Sequence, residues 1–577
     1  MENTITVKNS DWLFNCGILG LYNILTYKGE DEEIILSQDE LRFPVSSLDG
    51  FSEKYFRYFI DIYEKTFSIY RITSFKDFLD NHISSKFKDF NGSSLQKLNL
   101  QIEQTKKYLK SDSYVSAYPL IDCEFDPLKK EKELKKISLK KKENIYDKLD
   151  EVRLQMDLLG EVINFFERKD VRKYVGGKNT MYSIIKNAWE GISFMNTQNK
   201  NPDMYDEMEN YFVNPLKEYI EVSQEEKKKF KYQCMTCSSN IKNLKNGMGF
   251  MNKIGFDIGK KTSHVWDFNN YVAICPICRL VYACVPAGFS YLYNRGVFVN
   301  YSMDLEELRR INNRIKKDVM SSSESKTLIY QALQRQMDKE FNENSAYELS
   351  DVQLVRFERD QDKKSVHYTF NILSKSVLLT VQKSKKEFDR IRNVSFAEGK
   401  HTLYLYNEVM KRLLNNENQF LLIQKLMHYK LSMPEKSYSM ATVRDVLKIN
   451  VYFLEEAGYM EKGEKDIIQI AKSHGHHLQR SYDTSQEEGR TQSKYNRKLD
   501  GIAYRMLNAL KTNNKHAFMD VMINAHMYVQ KEVPSIFAQY LDKDLEFKNI
   551  GYAFISGMIG YSGNKEENEA EGGKGNE

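Results

Sequence analysis

The sequence predicts an α+β fold: a mixed α/β N-terminal domain, a four-cysteine ribbon inserted into it, and a C-terminal α-helical bundle. Three observations predict this. Two Cys-x-x-Cys pairs, Cys234–Cys237 and Cys275–Cys278, are separated by the 37 residues 238–274. Apolar residues alternate through Val352 and Leu354, then Val355 and Phe357, and again through Val366, Tyr368, Phe370 and Ile372, which is the period of a strand. From about His401 onward they recur every three to four residues, the period of a helix.

At 577 residues the chain exceeds one hydrophobic core, so more than one domain is expected. The boundaries follow from the pattern. Residues 1–398 form the N-terminal domain with the ribbon at about 230–285, 399–562 form the bundle, and 563–577 form a polar, flexible tail.

In the first hundred residues short apolar clusters alternate with turn signals, and Asn91-Gly92-Ser93-Ser94 reads as a loop. Lys129 to Lys142 is strongly basic, with sparse apolar residues at Leu134, Ile137 and Leu139. It reads either as a solvated segment or as an arm that touches phosphates. Helical spacing follows through Ile145, Leu149, Val152, Met156, Leu159 and Ile163. Asp304 to Glu340 is helical in pattern, broken at Ser321-Ser322-Ser323. Val352 to Ile372 reads as a hairpin turning at 360–364, with a bulge where the alternation slips at Val355. In the bundle, one helix carries Leu403, Tyr406, Val409 and Leu413, and a second Val443, Val446, Leu447 and Val451. Ile502, Met506, Leu507 and Leu510 mark a third, and Phe518, Met522 and His526 a fourth.

The aromatic fraction of 12% and hydrophobic fraction of 41% suit a folded protein, and a net charge of +5 excludes a wholesale polycation. Asn15 and Asn23 interrupt the apolar start, so no secretory signal is read there. Without an apolar run of about 18 residues, no membrane span or membrane partner is expected. Seven cysteines without an export signal point to reduced thiols and a cytoplasmic setting.

A thiolate pair two residues apart can grip one tetrahedral ion from a single turn, and two pairs complete a four-sulfur site. Cys234, Cys237, Cys275 and Cys278 are therefore the predicted metal ligands and Zn²⁺ the predicted cofactor. Cys284 and His264 are rivals that the symmetrical pairing disfavours. Four thiolates leave no open coordination position, so the zinc reads as structural. The insert interleaves Lys242, Lys245, Lys253, Lys260 and Lys261 with glycines and aromatics, and Lys227, Lys228, Lys229 and Lys231 precede it. It reads either as a nucleic-acid surface or as a solvated loop.

Gly255-Phe-Asp-Ile-Gly259-Lys260-Lys261-Thr262 has three residues between its glycines where a P-loop has four, and a second lysine where Ser or Thr should stand. No ATPase follows from it. His474-Gly475-His476-His477 has no acidic residue within five positions on either side, and is flanked by Lys472 and Arg480. It reads as a cationic helix end rather than a metal or catalytic site, and Arg490, Lys494, Arg497 and Lys498 extend the charge. With no nucleophile elbow, His-Glu-x-x-His or paired carboxylate motif, a non-enzymatic role is expected.

The doubled Cys-x-x-Cys, the opening run Asn9 to Gly20 (Asn-Ser-Asp-Trp-Leu-Phe-Asn-Cys-Gly-Ile-Leu-Gly), the late run Ile502 to Leu510 and the closing Ile550-Gly551-Tyr552-Ala553-Phe554 resemble the CXXC–CXXC family of CRISPR-associated proteins. That family is the large subunit of the type I-B Cascade surveillance complex. Cys16 stands where a small residue such as Ala is commoner. The resemblance implies a subunit in antiviral defence that binds beside guide RNA and recognises the flanking motif (PAM) in target duplex DNA. It would also aid strand separation and recruit a separate helicase-nuclease. The implied partners include the backbone and handle-binding subunits. The bundle would play the small-subunit part, and Met433 or Met440 could start a free copy of it.

Within that frame Lys242, Lys245, Asn246 and Lys253 are candidates for reading the motif, with Lys260 and Lys261 beside them. Asn15 and Gly17 are candidates for the guide-handle junction or a neighbouring subunit. Lys472, Arg480, Arg497 and Lys498 are candidates for displaced-strand contact. Two alternatives remain: a stand-alone zinc-ribbon nucleic-acid binder, and a nuclease with a diffuse carboxylate site.

Overall fold

The computed structural model describes residues 4–29, 33–122, 124–139, 143–199, 203–254, 272–302, 304–321, 328–343, 352–359, 366–399, 401–432, 438–461, 465–482 and 497–560. The chain divides into two compact units, the first comprising 1–323 with 351–370 and the second 324–350 with 371–577. Helices and antiparallel sheets are mixed along it. No helix among the described residues is long and apolar enough to cross a membrane.

The first unit opens on strand β1 (Thr4–Lys8), which with β2 (Ile35–Leu36) and β3 (Glu40–Pro44) makes a small antiparallel sheet in the order β1-β3-β2. Between them runs the helix Trp12–Leu25. Asp11 starts it: its Oδ1 accepts from the amides of Leu13 (2.8 Å) and Phe14 (3.1 Å), donors that no helical carbonyl could satisfy. The helix is apolar on nearly every side, and it is buried on nearly every side. Ile18, Leu21 and Ile24 are fully shielded, each worth about 1.5–3 kcal/mol of burial.

Asn91-Gly92-Ser93-Ser94 is not a loop. Asn91 caps the helix Gly92–Leu109 through Ser93 and Ser94 amides. The basic stretch after Lys129 is pinned as far as Ile137. Its first part is the helix Pro127–Glu133, and Leu134 and Ile137 beyond it are buried. Asn99 accepts from the Ile137 amide and donates to its carbonyl, while Lys106 Nζ donates to the carbonyls of Glu131 and Leu134. The helix expected after it spans Leu149–Glu167.

The larger sheet of this unit has the order β6-β7-β8-β9: Ser290–Leu292, Arg295–Tyr301, Val352–Arg359 and Val366–Ile372. The expected hairpin is β8 and β9, and its turn lies outside the described residues. On the β7 side no bulge interrupts β8. β7 and β8 pair without interruption from Arg295↔Glu358 to Tyr301↔Val352. The alternation slips because Leu354, Val355, Arg356 and Phe357 are all buried: both faces of β8 are covered, which removes the period of two.

In the second unit His401–Tyr404 is a strand, β11, paired with β10 (Ser395–Glu398). Leu403 therefore belongs to a hairpin, and the helix it was expected to join begins at Leu405. Helices Phe420–Ser432, Met440–Glu456, Lys465–Tyr482, Arg497–Lys511, Lys515–Tyr528 and Asp544–Met558 follow. Gly475 and Gly557 let two of them meet at backbone distance. A Cβ on Gly475 would strike the Phe554 carbonyl, and one on Gly557 the Lys472 carbonyl.

Candidate metal centre

The first cysteine pair sits in a hairpin of β4 (Tyr232–Gln233) and β5 (Asn240–Ile241). The Cys234 amide donates to the Ser239 carbonyl (2.8 Å) and the Ser238 amide to the Cys234 carbonyl (2.9 Å), folding the chain back on itself. Ser238 completes the turn in the left-handed region at φ +59°. The second pair starts a helix. Cys275 caps Pro276–Ala283, its Sγ accepting from the Cys278 amide at 3.4 Å, and Pro276 fits the first turn because it has no N–H to lose.

Three backbone hydrogen bonds hold the halves together. The amide of Met235 donates to the carbonyl of Ala273 (3.0 Å), that of Ile274 to Asn246 (2.9 Å) and that of Met248 to Val272 (3.1 Å). The result gathers the four sulfurs of Cys234, Cys237, Cys275 and Cys278 within 4.8 Å of one another, Cys237 and Cys275 at 3.6 Å. A zinc ion bound by four thiolates at about 2.3 Å sets its sulfurs about 3.8 Å apart, so the donor set fits a tetrahedral ion of that kind. Among the described residues this is the one group of three or more His, Cys, Asp or Glu side chains placed to hold a metal ion. Cys284 is fully buried outside it, and His264 lies outside the described residues.

Crowding divides the protons unequally. Hydrogen bonding from Cys234, then from Cys275 and Cys278, holds the Cys237 thiol far below its ordinary range. Hydrogen bonding to Cys234 and Cys237 pushes Cys275 and Cys278 well up. Cys237 is the exposed member and the other three are buried.

The second half of the site is fixed to the protein core. Tyr55 Oη donates to the Ala283 carbonyl (2.9 Å), and so does Trp189 Nε1 (3.2 Å). Gly17 and Gly20 of the opening helix face the carbonyls of Val281 and Cys284, where no Cβ would fit. This corrects the placement of two candidates. Gly17 is a packing contact of the helix that carries Cys278. Asn15 is fully buried, its side chain bonded to both backbone groups of Ser10 (2.8 and 3.0 Å) and to Asn300 Oδ1 (3.2 Å). Neither has surface to offer to a guide RNA.

Of the insert candidates, Lys242 and Lys245 are exposed. Lys253 is paired with Glu190 at 2.7 Å, and Lys260 and Lys261 lie outside the described residues. Asn246 is half-buried and accepts at Oδ1 from Arg279 Nη1 (2.8 Å). Arg279 was not singled out in the sequence, where an arginine directly after the last ligand was its only signal. It is 6% exposed, its guanidinium lies 3.6 Å from the Tyr211 ring centroid, and burial pulls its pKa down.

The remaining candidates belong to the second unit. Lys472 is half-buried and Arg480 exposed on Lys465–Tyr482. Lys498 Nζ donates to Tyr528 Oη at 3.0 Å. Arg497 opens its helix, and its side chain lies outside the described residues. The histidines do not converge: the rings of His474 and His477 are 6.5 Å apart, and His476 Nδ1 lies 3.0 Å from Gln479 Oε1.

Residues 227–290 match a family model described as CRISPR-associated protein (Cas_CXXC_CXXC). The matched span contains both cysteine pairs, so it supports a CRISPR-associated, CXXC–CXXC kind of protein with a role in CRISPR systems. No curated protein and no solved structure matches the chain.

Proposed function

We propose that this chain is the large subunit of a type I-B CRISPR guide-RNA surveillance complex, a non-catalytic cytoplasmic protein. It recognises the target-flanking motif in duplex DNA, aids strand separation and helps recruit a separate helicase-nuclease. The observation that carries the reading is the four-cysteine cluster inside the matched span 227–290. A structural zinc there would fix the ribbon without taking part in chemistry. It would hold Lys242 and Lys245 on a loop whose base is tied down by the Ile274 and Met248 amides. Exposed lysines on a clamped loop suit phosphate or groove contact.

The test is co-purification. The tagged chain is expressed with its neighbouring CRISPR genes and a guide array, and the RNA that accompanies it is sequenced. The reading expects guide RNA and several further subunits in stoichiometric amounts. A chain that purifies alone, binds duplex DNA and carries no guide would be a stand-alone zinc-ribbon binder instead.

A further inference from the structure

Between the opening helix and the first cysteine turn lies a cavity of about 340 Å³. Trp12 and Phe370 form one wall, edge to face with ring centroids 5.0 Å apart. Met235, which stands between the ligands Cys234 and Cys237, contributes a side chain that is 43% exposed. Met248 and Tyr282 are buried and complete the apolar lining. Asp11 also lines it. One of its oxygens is engaged in capping the helix, which leaves the other to accept.

We propose that this cavity takes a single unstacked nucleobase carrying an exocyclic amine, from single-stranded nucleic acid; the proposal rests on the nucleic-acid reading above. The chemistry converges on such a ligand. Phe370 is 52% exposed beside Trp12, so aromatic surface is left on it for stacking. Met235 supplies a polarizable thioether that adapts to different ring outlines. The Asp11 carboxylate accepts from an amino group, which adenine, cytosine and guanine have and thymine and uracil lack. Lys231, Lys242 and Lys245, all exposed on the same ribbon, provide cations for the strand's phosphates. An apolar peptide would use neither the carboxylate nor the lysines.

The zinc-loaded full chain is titrated with oligo-dT strands carrying one 2-aminopurine, whose fluorescence falls on stacking. Wild type should quench it. Phe370→Ser should abolish the quenching and weaken binding at least about fivefold, with zinc content and circular dichroism unchanged. Asp11→Asn keeps an oxygen for the helix cap and should erase any preference for adenine or cytosine over thymine at that position. If wild type binds the strand without quenching, or Phe370→Ser binds and quenches like wild type, the cavity is not a base site, and the large-subunit reading is untouched. If wild type binds no nucleic acid, alone or in its complex, the underlying reading falls with it.

Discussion

Gly17 lies against the backbone of Val281 so closely that a Cβ on the glycine would stand 2.5 Å from the Val281 carbonyl oxygen and 2.8 Å from its Cγ1. Val281 is three residues past Cys278 on the same helix, so this contact joins the opening motif of the chain to its four-cysteine cluster. Gly17→Ala should cost about 1–3 kcal/mol, because backbone cannot rotate aside as a side chain can. The check is the urea midpoint of the first unit against Gly160→Ala. Gly160 lies inside the helix Leu149–Glu167 with nothing within 4 Å of a Cβ, so that change should be neutral or mildly stabilising.

Metal analysis of the purified chain should return one zinc per molecule. Cys275→Ser should lose it and Cys284→Ala should keep it, since Cys284 is buried outside the cluster. Chelation should loosen Val272–Ala283 and 232–248 together, read as faster amide exchange at Met235, Met248 and Ile274, the three amides that join the halves.

Lys316 is buried on Leu305–Ser321, its Nζ donating to the Ala287 carbonyl (2.8 Å) and to Tyr58 Oη (2.7 Å). Burial pulls its pKa down to about 7 from an ordinary 10.5. Between those values the unfolded chain binds more protons than the folded one, so stability rises with pH, by at most about 1.4 kcal/mol per pH unit. Below pH 7 both states are protonated and the penalty is constant. Lys316→Met should flatten the rise, measured on zinc-loaded protein as the difference in urea midpoint between pH 7.5 and 9.5. An unchanged slope would show that the lysine is solvated in the folded state.

Lys242→Ala and Lys245→Ala should each weaken binding to all duplex sequences alike and reduce the slope of log affinity against log salt by about 1, the signature of a phosphate contact. A change in sequence preference at either position would mark it as a base reader. The measurement is a salt series with two duplexes that differ in the flanking motif.

The four-cysteine cluster was legible because its chemistry is local: two cysteines per turn, twice over. Four helices from Leu405 onward were legible for the same reason, their period being written into the segment itself, whereas Phe420–Ser432, Lys465–Tyr482 and Asp544–Met558 are further helices beyond those four. Apart from Asn91–Ser94, where a local helix cap has the composition of a loop, what failed depended on distant residues. Nothing near Gly17 announces Val281, and nothing near Asn15 announces Asn300, so two residues that close the core read as free for a partner. β8 lost its alternation to cover on both faces, which a single strand cannot record. At Leu403 the helical period ran two residues too far, because β11 ends where the helix begins and its partner β10 decides the boundary.

The most direct test of the large-subunit reading is a duplex-DNA titration of the guide-RNA complex purified with and without this chain, against targets that differ only in the flanking motif. Tight binding that depends on the motif and requires the chain is the predicted result. Equal binding by both complexes, or a chain that never joins a guide-RNA complex, would contradict it.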